Sequence, residues 1–598
     1  MCGIVGSYGI DFPIQQILDR QTHRGPDAMG SCVCPLQNGT SLQLGHNRLK
    51  IIDLSDTANQ PFSDPTRQHI IVFNGEIYNY KEIKAELIQE GVIFTTDSDT
   101  EVLLLALRQW HLDALQKLNG MFAFAYLDLT RQTLYLVRDR FGVKPLYYFS
   151  DPKRLVFAST SASIATMCGL APNFQYIKRG LQFGIYEQDS GETAYQSLHS
   201  VPPGQVIVCS FLEGVQLRSK VYYQLEPRVQ ALRESMTGVS TAQWMDETTC
   251  LLQDACRLRL QADVPVALAL SGGLDSATLA AVSSSHHEGL HAFCFGSPTN
   301  PFSEGPLAAQ LAARHGINIQ FINPPDAAFN EAFWQTLQCQ DAPFPSLSIV
   351  AQFLLYQHIK KAGFTVVIGG QAGDELFLGY RKFQWFHLRE LIEKQRWLQA
   401  ARFFVGFSQM IWAERARLSL FWRGRSRYQT STGQSSQLSL PGDPLFASMG
   451  YSGDLQGRQL TDILKFSLPT LLRYEDRNSM AHSIESRLPF MDYRLVELAC
   501  AVPTALKLQH GYGKWMLREL MINQIPNEIR LARYKRGFDV AQNNAIVRSL
   551  EKTVIKKLRA HPEVLQFVGP DYLSSSESTC SPQRFSELVT LSWLVGKV

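Results

Sequence analysis

Two patterns of hydrophobic spacing divide the chain near residue 210. Before that point apolar positions alternate with polar ones or gather in short runs, as at 69–73, 122–128, 133–137 and 155–158, separated by Asn-Gly, Asp-Pro and Pro-Pro-Gly turn signals. These runs predict strands. Residues 82–90 and 100–110 carry apolar side chains at helical spacing and predict two covering helices. A layered α+β domain over 1–210 follows. Residues 211–243 are polar and read as a linker into a helix over 244–258. Beyond it, 266–270, 290–296 and 365–368 are short, wholly apolar strands alternating with helices, one of them at 304–315. That is the pattern of a doubly wound α/β parallel sheet, buried on both faces. A helix is expected over 375–383, and from about 385 onward the second domain, 244–598, reads as mostly helical, with a Ser/Thr/Gln-rich loop at 429–439.

Length and composition narrow the picture. A chain of 598 residues is too long for one core, so two or three domains are expected. Apolar content of 45% with 19% charged residues is that of a globular protein. With 57 basic against 54 acidic residues the charge is balanced, which gives no reason to expect nucleic acid or an anionic membrane as partner. The apolar run 403–407 falls far short of the roughly 20 residues that span a bilayer. The start MCGIVGSYG has no basic n-region, so no secretory signal is expected. Eleven cysteines without CxxC spacing, Cys32 and Cys34 being the only close pair, argue against a disulfide framework or zinc site and fit a reducing, cytoplasmic setting.

One cysteine stands out by position. Removal of Met1 would put a thiol and a free α-amine on Cys2; the amine titrates near about 8 and the thiol near about 8.5, so nucleophile and base share one residue. Taken singly, Asn74-Gly75 is a hairpin turn and Arg48 a surface cation. Taken together, MCGIVG, His23-Arg-Gly-Pro-Asp27, Gly45-His-Asn-Arg-Leu49, Asn74-Gly-Glu-Ile-Tyr78, Asp97-Ser-Asp-Thr-Glu101 and Gly120-Met-Phe-Ala-Phe124 resemble the class II, N-terminal-nucleophile glutaminase domain. The resemblance implies an Ntn-type αββα sandwich. It also implies that Cys2 attacks glutamine, that Arg48 holds the glutamine carboxylate and that Glu76 and Asp99 receive its ammonium. Asn74 and the amide of Gly75 would then form the oxyanion hole.

The second domain carries its own constellation. Leu270 leads into Ser271-Gly-Gly-Leu-Asp-Ser276, a strand–loop–helix turn suited to an anion, with Ser271, Gly272, Gly273, Asp275 and Ser276 as candidate ATP contacts. No Walker motif occurs; SGGxDS instead resembles the pyrophosphate loop of ATP pyrophosphatases. A second turn, Gly369-Gly370-Gln371-Ala-Gly-Asp374-Glu375, follows the third strand. Asp275 and Asp374 are candidate ligands for Mg²⁺ on the phosphates, since hard cations favour carboxylate oxygen. Two longer blocks, Leu471 to Asp492 (LLRYEDRNSMAHSIESRLPFMD) and Gly513-Lys-Trp-Met-Leu-Arg518 with Arg533-Tyr-Lys-Arg-Gly-Phe538, resemble the glutamine-hydrolysing asparagine synthetases, and with the glutaminase motifs the likeness covers nearly the whole chain. It implies glutamine, aspartate and ATP as substrates, an acyl-adenylate and internal ammonia transfer; the family often pairs through its glutaminase domains, which leaves a homodimer open. It also implies Lys535 on the transferred phosphates and Gln371, Glu375, Glu485 and Arg487 near the acceptor.

Two positions depart from that pattern. The reference turn reads SGEGxDE, with its Glu assigned to proton traffic during amidation; here Gln371 stands there, and an amide cannot act as a base. Thr160 and Ala162 replace a charge of each sign near the domain boundary. The first departure keeps other carboxylates, such as sugar acids or peptides, open as acceptors. A non-catalytic binding module is the third alternative, disfavoured by the intact Cys2, Arg48, Asn74, Asp99, SGGLDS and Lys535.

Overall fold

A computed structural model describes residues 2–9, 14–187, 190–211, 214–300, 303–413, 453–533, 544–561 and 582–596. The first part holds two six-stranded antiparallel sheets. One runs Leu198–Ser200, Tyr147–Ser150, Leu155–Ala158, Gly3–Tyr8, Ser41–Arg48, Ala28–Pro35. The other runs Gln216–Val221, Gln205–Ser210, Thr133–Arg138, Gly120–Asp128, His69–Ile77, Phe62–Ser63.

Side chains two apart on each strand explain how the layers stack. Ile4, Leu42, Leu44, Leu155 and Phe157 of the first sheet meet Ile70, Val72, Ala123, Ala125, Leu134 and Leu136 of the second in one core. The alternate set of the second sheet, Ile71, Phe73, Phe122, Phe124 and Val137, packs on helices Tyr80–Gln89 and Asp99–Trp110. The alternate set of the first, Val5, Val156 and Ala158, packs on helices Gln15–Arg20 and Ser161–Cys168. Helix, sheet, sheet, helix is the order of layers, as expected. Each large aliphatic or aromatic side chain withdrawn from water contributes about 1.5–3 kcal/mol.

The expected linker is corrected. Residues Gln216–Val221 form an edge strand paired with Gln205–Ser210, and Leu225–Ser235 form a helix whose Leu225 and Val229 are buried with Leu495 and Val496 of helix Tyr493–Ala501. Both read as polar because an edge strand with an exposed face and a helix with a narrow apolar stripe carry few hydrophobic residues. The helix expected over 375–383 is likewise two pieces, Gly373–Leu376 and Arg381–Glu393, parted where Leu378 takes a φ of +56°.

The second part is built on a five-stranded, all-parallel sheet ordered Asn318–Ile322, His291–Phe295, Val266–Ala269, Val366–Ile368, Glu485–Arg487. Two of these strands were not anticipated. Asn318–Ile322 lies at one edge, half exposed; Glu485–Arg487 is three residues long with two charges. The chain builds outward from Val266–Ala269 and then returns to its other side, so the order reverses between Val266–Ala269 and Val366–Ile368. A crevice opens at the carboxyl ends of strands flanking such a reversal, where α/β proteins bind ligands. Helix Leu468–Met480 is buried along most of its length and carries Arg473, Glu475, Asp476 and Arg477 inside the protein.

Candidate active site

Cys2 directly precedes a central strand and is 7% exposed. Its main-chain N–H donates to Asn74 Oδ1 at 3.0 Å. Burial pushes the thiol up, against the Leu49 amide and the Arg48 charge, which lower it. Such a thiol needs a base beside it to become a nucleophile. Asn74 and Gly75 do not form a turn: they lie within strand His69–Ile77, opposite Ala123 and Phe122. A Cβ on Gly75 would stand 2.2 Å from the Met121 carbonyl oxygen, so glycine is required by the close approach of the neighbouring strand. Asn74 Nδ2 is buried without a hydrogen-bond partner, a donor in reserve beside Cys2.

The candidate glutamine contacts surround this point. Arg48 ends strand Ser41–Arg48, and its guanidinium donates to the Ser55 carbonyl at 2.6 Å, to Asn59 Oδ1 at 2.9 Å and to the Asp53 carbonyl, which aims it from the loop. Glu76 and Asp99 are both buried. Burial, and then the charge of Asp99, push Glu76 well above the carboxylate range; burial raises Asp99 to about 6, although Asp99 Oδ2 accepts from the Ile77 amide at 3.0 Å. Two confined carboxylates that resist joint ionisation favour an arriving ammonium.

Strand Glu485–Arg487 lies against this pocket. Arg487 Nη2 is 3.2 Å from Glu76 Oε2, and Arg487 Nε is 2.6 Å from Glu485 Oε1. Burial alone would raise Glu485, but the charge at the chain start, Arg487 and Lys144 outweigh it and hold it at about 2. Glu485 and Arg487, expected at the acceptor, are therefore turned toward Glu76 and the Cys2 side, because alternate residues of a strand face opposite ways. The residue between them faces the other way: Ser486 Oγ donates to Glu475 Oε1 at 2.5 Å.

That second face is the crevice at the strand reversal. Ser276 Oγ ties the first turn together, accepting from the Ser271 amide at 3.0 Å and lying 2.8 Å from Ser271 Oγ, while Gly273 precedes helix Leu274–Ser284 and its amide donates to Ser271 Oγ at 3.2 Å. Leu270 is buried, its amide on the Phe293 carbonyl, so only its backbone borders the turn. A Cβ on Gly272 would meet the Glu304 carbonyl at 2.9 Å, and one on Gly370 would lie 3.3 Å from the Ser276 nitrogen. On Gly373 a Cβ would stand 2.6 Å from the Asp275 carboxylate. The two turns touch because both are glycine-lined.

Lys514 joins them. Its Nζ lies 2.5 Å from Asp275 Oδ2 and 2.6 Å from Asp374 Oδ1. Ala372 and Lys514 both hold left-handed backbone, φ +77° and +55°, at a cost of about 1–2 kcal/mol each. Strain of that kind concentrates at functional sites. Two carboxylates converging on one positive charge fit a hard divalent cation completed by phosphate oxygens. Among the described residues no group of three or more His, Cys, Asp or Glu gathers for a metal. Gln371 Nε2 donates to Glu475 Oε2 at 3.3 Å, and Glu375 is buried on the Tyr380 hydroxyl at 2.6 Å, raised to about 7 by burial and by Asp374. Lys535 lies outside the described residues, as does the loop 429–439. Arg24 and Lys514 were singled out for no role in the sequence, although each lies inside a recognisable block, and their partners stand more than a hundred residues away; Arg473, Glu475 and Arg477 were expected to mix substrate contacts with internal ion pairs.

A model of asparagine synthase matches residues 247–591 and one of the glutamine amidotransferase domain matches residues 1–223. The chain belongs to the asparagine synthase family. Curated relatives of this family member include asparagine synthetase [glutamine-hydrolyzing] 1 of Bacillus subtilis (strain 168), 29% identical over 90% of this chain and 87% of that one. Asparagine synthetase [glutamine-hydrolyzing] 3 of the same organism is 26% identical over 88% of this chain and 85% of the other. Amidase chry2 of Gibberella zeae is 28% identical over 86% and 83%. This chain is thus an asparagine synthase-type glutamine amidotransferase of a family that uses ATP. Among the described residues no helix is long and apolar enough to cross a membrane.

Proposed function

We propose that this chain makes asparagine from aspartate, glutamine and ATP, releasing glutamate, AMP and pyrophosphate. The observation that carries the reading is strand Glu485–Arg487, with Arg487 on Glu76 beside the Cys2 pocket and Ser486 on Glu475 beside the two glycine turns. A wall one strand thick between a glutamine site and a nucleotide crevice suits ammonia that must not meet water, where it would be protonated and lost as a nucleophile.

At the first site the Cys2 α-amine, once Met1 is removed, takes the thiol proton, and the sulfur attacks the glutamine side-chain carbonyl. Asn74 Nδ2 and the Gly75 amide donate to the oxygen as it gains charge. Arg48 holds the α-carboxylate, and Glu76 with Asp99 takes the α-ammonium. At the second site the amides of the 271–276 turn hold the phosphates, and the acceptor carboxylate attacks the α-phosphorus. Asp275 and Asp374 would hold Mg²⁺, which when bound neutralises phosphate charge. Lys514 keeps the two acids together, and Lys535 meets the departing pyrophosphate.

A second reading, the same chemistry on another carboxylate, is favoured by Gln371 in place of a glutamate and by the amidase among the relatives. The purified chain with ATP, glutamine and labelled aspartate separates the two. Labelled asparagine with equal AMP and pyrophosphate is expected; glutamate without labelled asparagine would sink aspartate as the acceptor, and ADP with phosphate would sink the adenylate.

A further inference from the structure

Amide formation releases a proton, and Gln371 has no basic lone pair to take it. The side chain that Gln371 touches does. Glu475 is 4% exposed on helix Leu468–Met480, and among the described residues its carboxylate is held by neutral donors: Gln352 Nε2 at 2.5 Å, Ser486 Oγ at 2.5 Å, Gln371 Nε2 at 3.3 Å and the Tyr356 hydroxyl. Burial and the Glu475 charge push the Tyr356 phenol well up, so it stays a donor. The next residue, Asp476, makes the contrast: it is clasped by the guanidinium groups of Arg24 and Arg477. Among the described residues no lysine or arginine pairs with Glu475, so its charge is not spent on a fixed cation.

Position agrees with chemistry. A Cβ on Gly369 would lie 3.3 Å from Glu475 Oε1, and one on the adjacent Gly370 would lie 3.3 Å from the Ser276 amide nitrogen of the phosphate turn. Through Ser486 the same carboxylate is fastened to the strand whose outer residues face the Cys2 pocket. Glu475 therefore stands where material crossing that strand would reach the nucleotide crevice. The four acceptor positions of a carboxylate are filled here, and the Gln371 contact is the longest of those with a full-length bond. Its release exposes a lone pair toward the 369–375 turn.

We propose that Glu475 is the proton acceptor for amide formation in this chain, replacing the acid missing at position 371. The proposal rests on the amide-forming reading above. The nitrogen lone pair of ammonia forms the C–N bond at the activated carbonyl carbon. The C–O bond to the AMP phosphate breaks, its electron pair leaving with AMP, and one N–H proton passes to Glu475 Oε2.

The test uses the full chain with ATP, aspartate and ammonium chloride, reading amide formed and exchange of labelled pyrophosphate into ATP. Glu475→Gln keeps the shape and one acceptor oxygen but replaces the basic oxygen with an N–H donor, which the Gln352 and Gln371 amides can meet by turning their own oxygens inward. It is expected to lower kcat for amide formation by about 10²-fold or more, the range of a general base, with the acceptor KM and pyrophosphate exchange retained. Glu475→Asp should fall between, and Gln371→Glu placed in the Glu475→Gln chain should recover at least about tenfold. Glutamine hydrolysis at Cys2 in each variant reports that the chain is folded. An unchanged kcat, or a loss confined to the acceptor KM as expected of a contact to an acceptor ammonium, overturns the role of Glu475 and leaves the amide-forming reading standing. A wild-type chain that makes no amide from ammonia overturns both.

Discussion

Arg24 grips Asp476 with both terminal nitrogens, Nη1 at 3.0 Å from Oδ2 and Nη2 at 3.1 Å from Oδ1, while its Nε donates to the Cys2 carbonyl at 3.1 Å. One buried guanidinium thus touches the backbone of Cys2, the proposed nucleophile, in the first domain and the residue beside Glu475 in the second. Arg477 completes the cluster, its Nη1 on Asp476 at 2.6 Å and its Nε on Asp341 at 3.1 Å. The domains are locked together through the residues that frame their two sites.

Asp476→Asn should cost about 3–5 kcal/mol, because it leaves two buried guanidinium groups short of charge. Burial opposes ionisation of Asp476, but Arg24, Arg477 and Lys144 outweigh it and hold its carboxyl far below the usual range. A depressed carboxyl contributes stability above its unfolded value near about 3.9 and loses it as pH falls toward the folded value. Urea denaturation at pH 7 and pH 3 should show the wild-type advantage over the variant large at the first and shrunken at the second. An equal gap at both would contradict the pairing.

Asp99 behaves in the opposite sense. Its folded value of about 6 lies above the ordinary one, so the contribution of its proton is complete at low pH and disappears as pH rises through about 6. Asp99→Asn imitates the protonated form. It should stabilise the empty protein by about 1–2 kcal/mol at pH 8 and not at pH 4, and raise the glutamine KM about tenfold or more through loss of a charge-assisted bond. A variant no more stable at pH 8 would show that the site is not strained by its carboxylates.

Lys514→Met removes the ammonium shared by Asp275 and Asp374. The empty protein should lose about 1–3 kcal/mol. Magnesium chloride without nucleotide should then raise the melting midpoint of the variant and not of the wild type, since two carboxylates that have lost the ammonium between them attract a hard cation. No magnesium response in the variant would remove these two residues as a metal pair.

Cys2→Ala should end glutamine hydrolysis while amide formation from ammonium chloride continues at a wild-type rate. Assays of glutamate and of amide on the same preparation check both halves, and joint loss would contradict two separate sites.

Strand periodicity, the helices at 82–90 and 100–110 and the glycine turns after apolar strands were legible from local spacing, because each depends on neighbours a few residues away. The linker was misjudged for the same reason: an edge strand and a narrow helix stripe carry weak local signals. The glutamine-side candidates Cys2, Arg48, Asn74, Glu76 and Asp99 stand out in the sequence because their motifs are dense and close together. Glu485 and Arg487 were expected beside the acceptor, whereas Arg487 pairs with Glu76 on the Cys2 side, since a three-residue strand shows its facing only once it is paired with Val366–Ile368.

By itself the sequence determined the layers, since hydrophobic period suffices for them, and it marked the two candidate sites, the thiol at the chain start and the SGGLDS turn, since covalent order suffices for those. Only the tertiary structure decided what meets what. Arg24 reaches Asp476 across 452 positions, and Glu475 meets Gln371 across 104. Such pairings arise from how a sandwich and a parallel sheet pack on each other, and no local pattern encodes them.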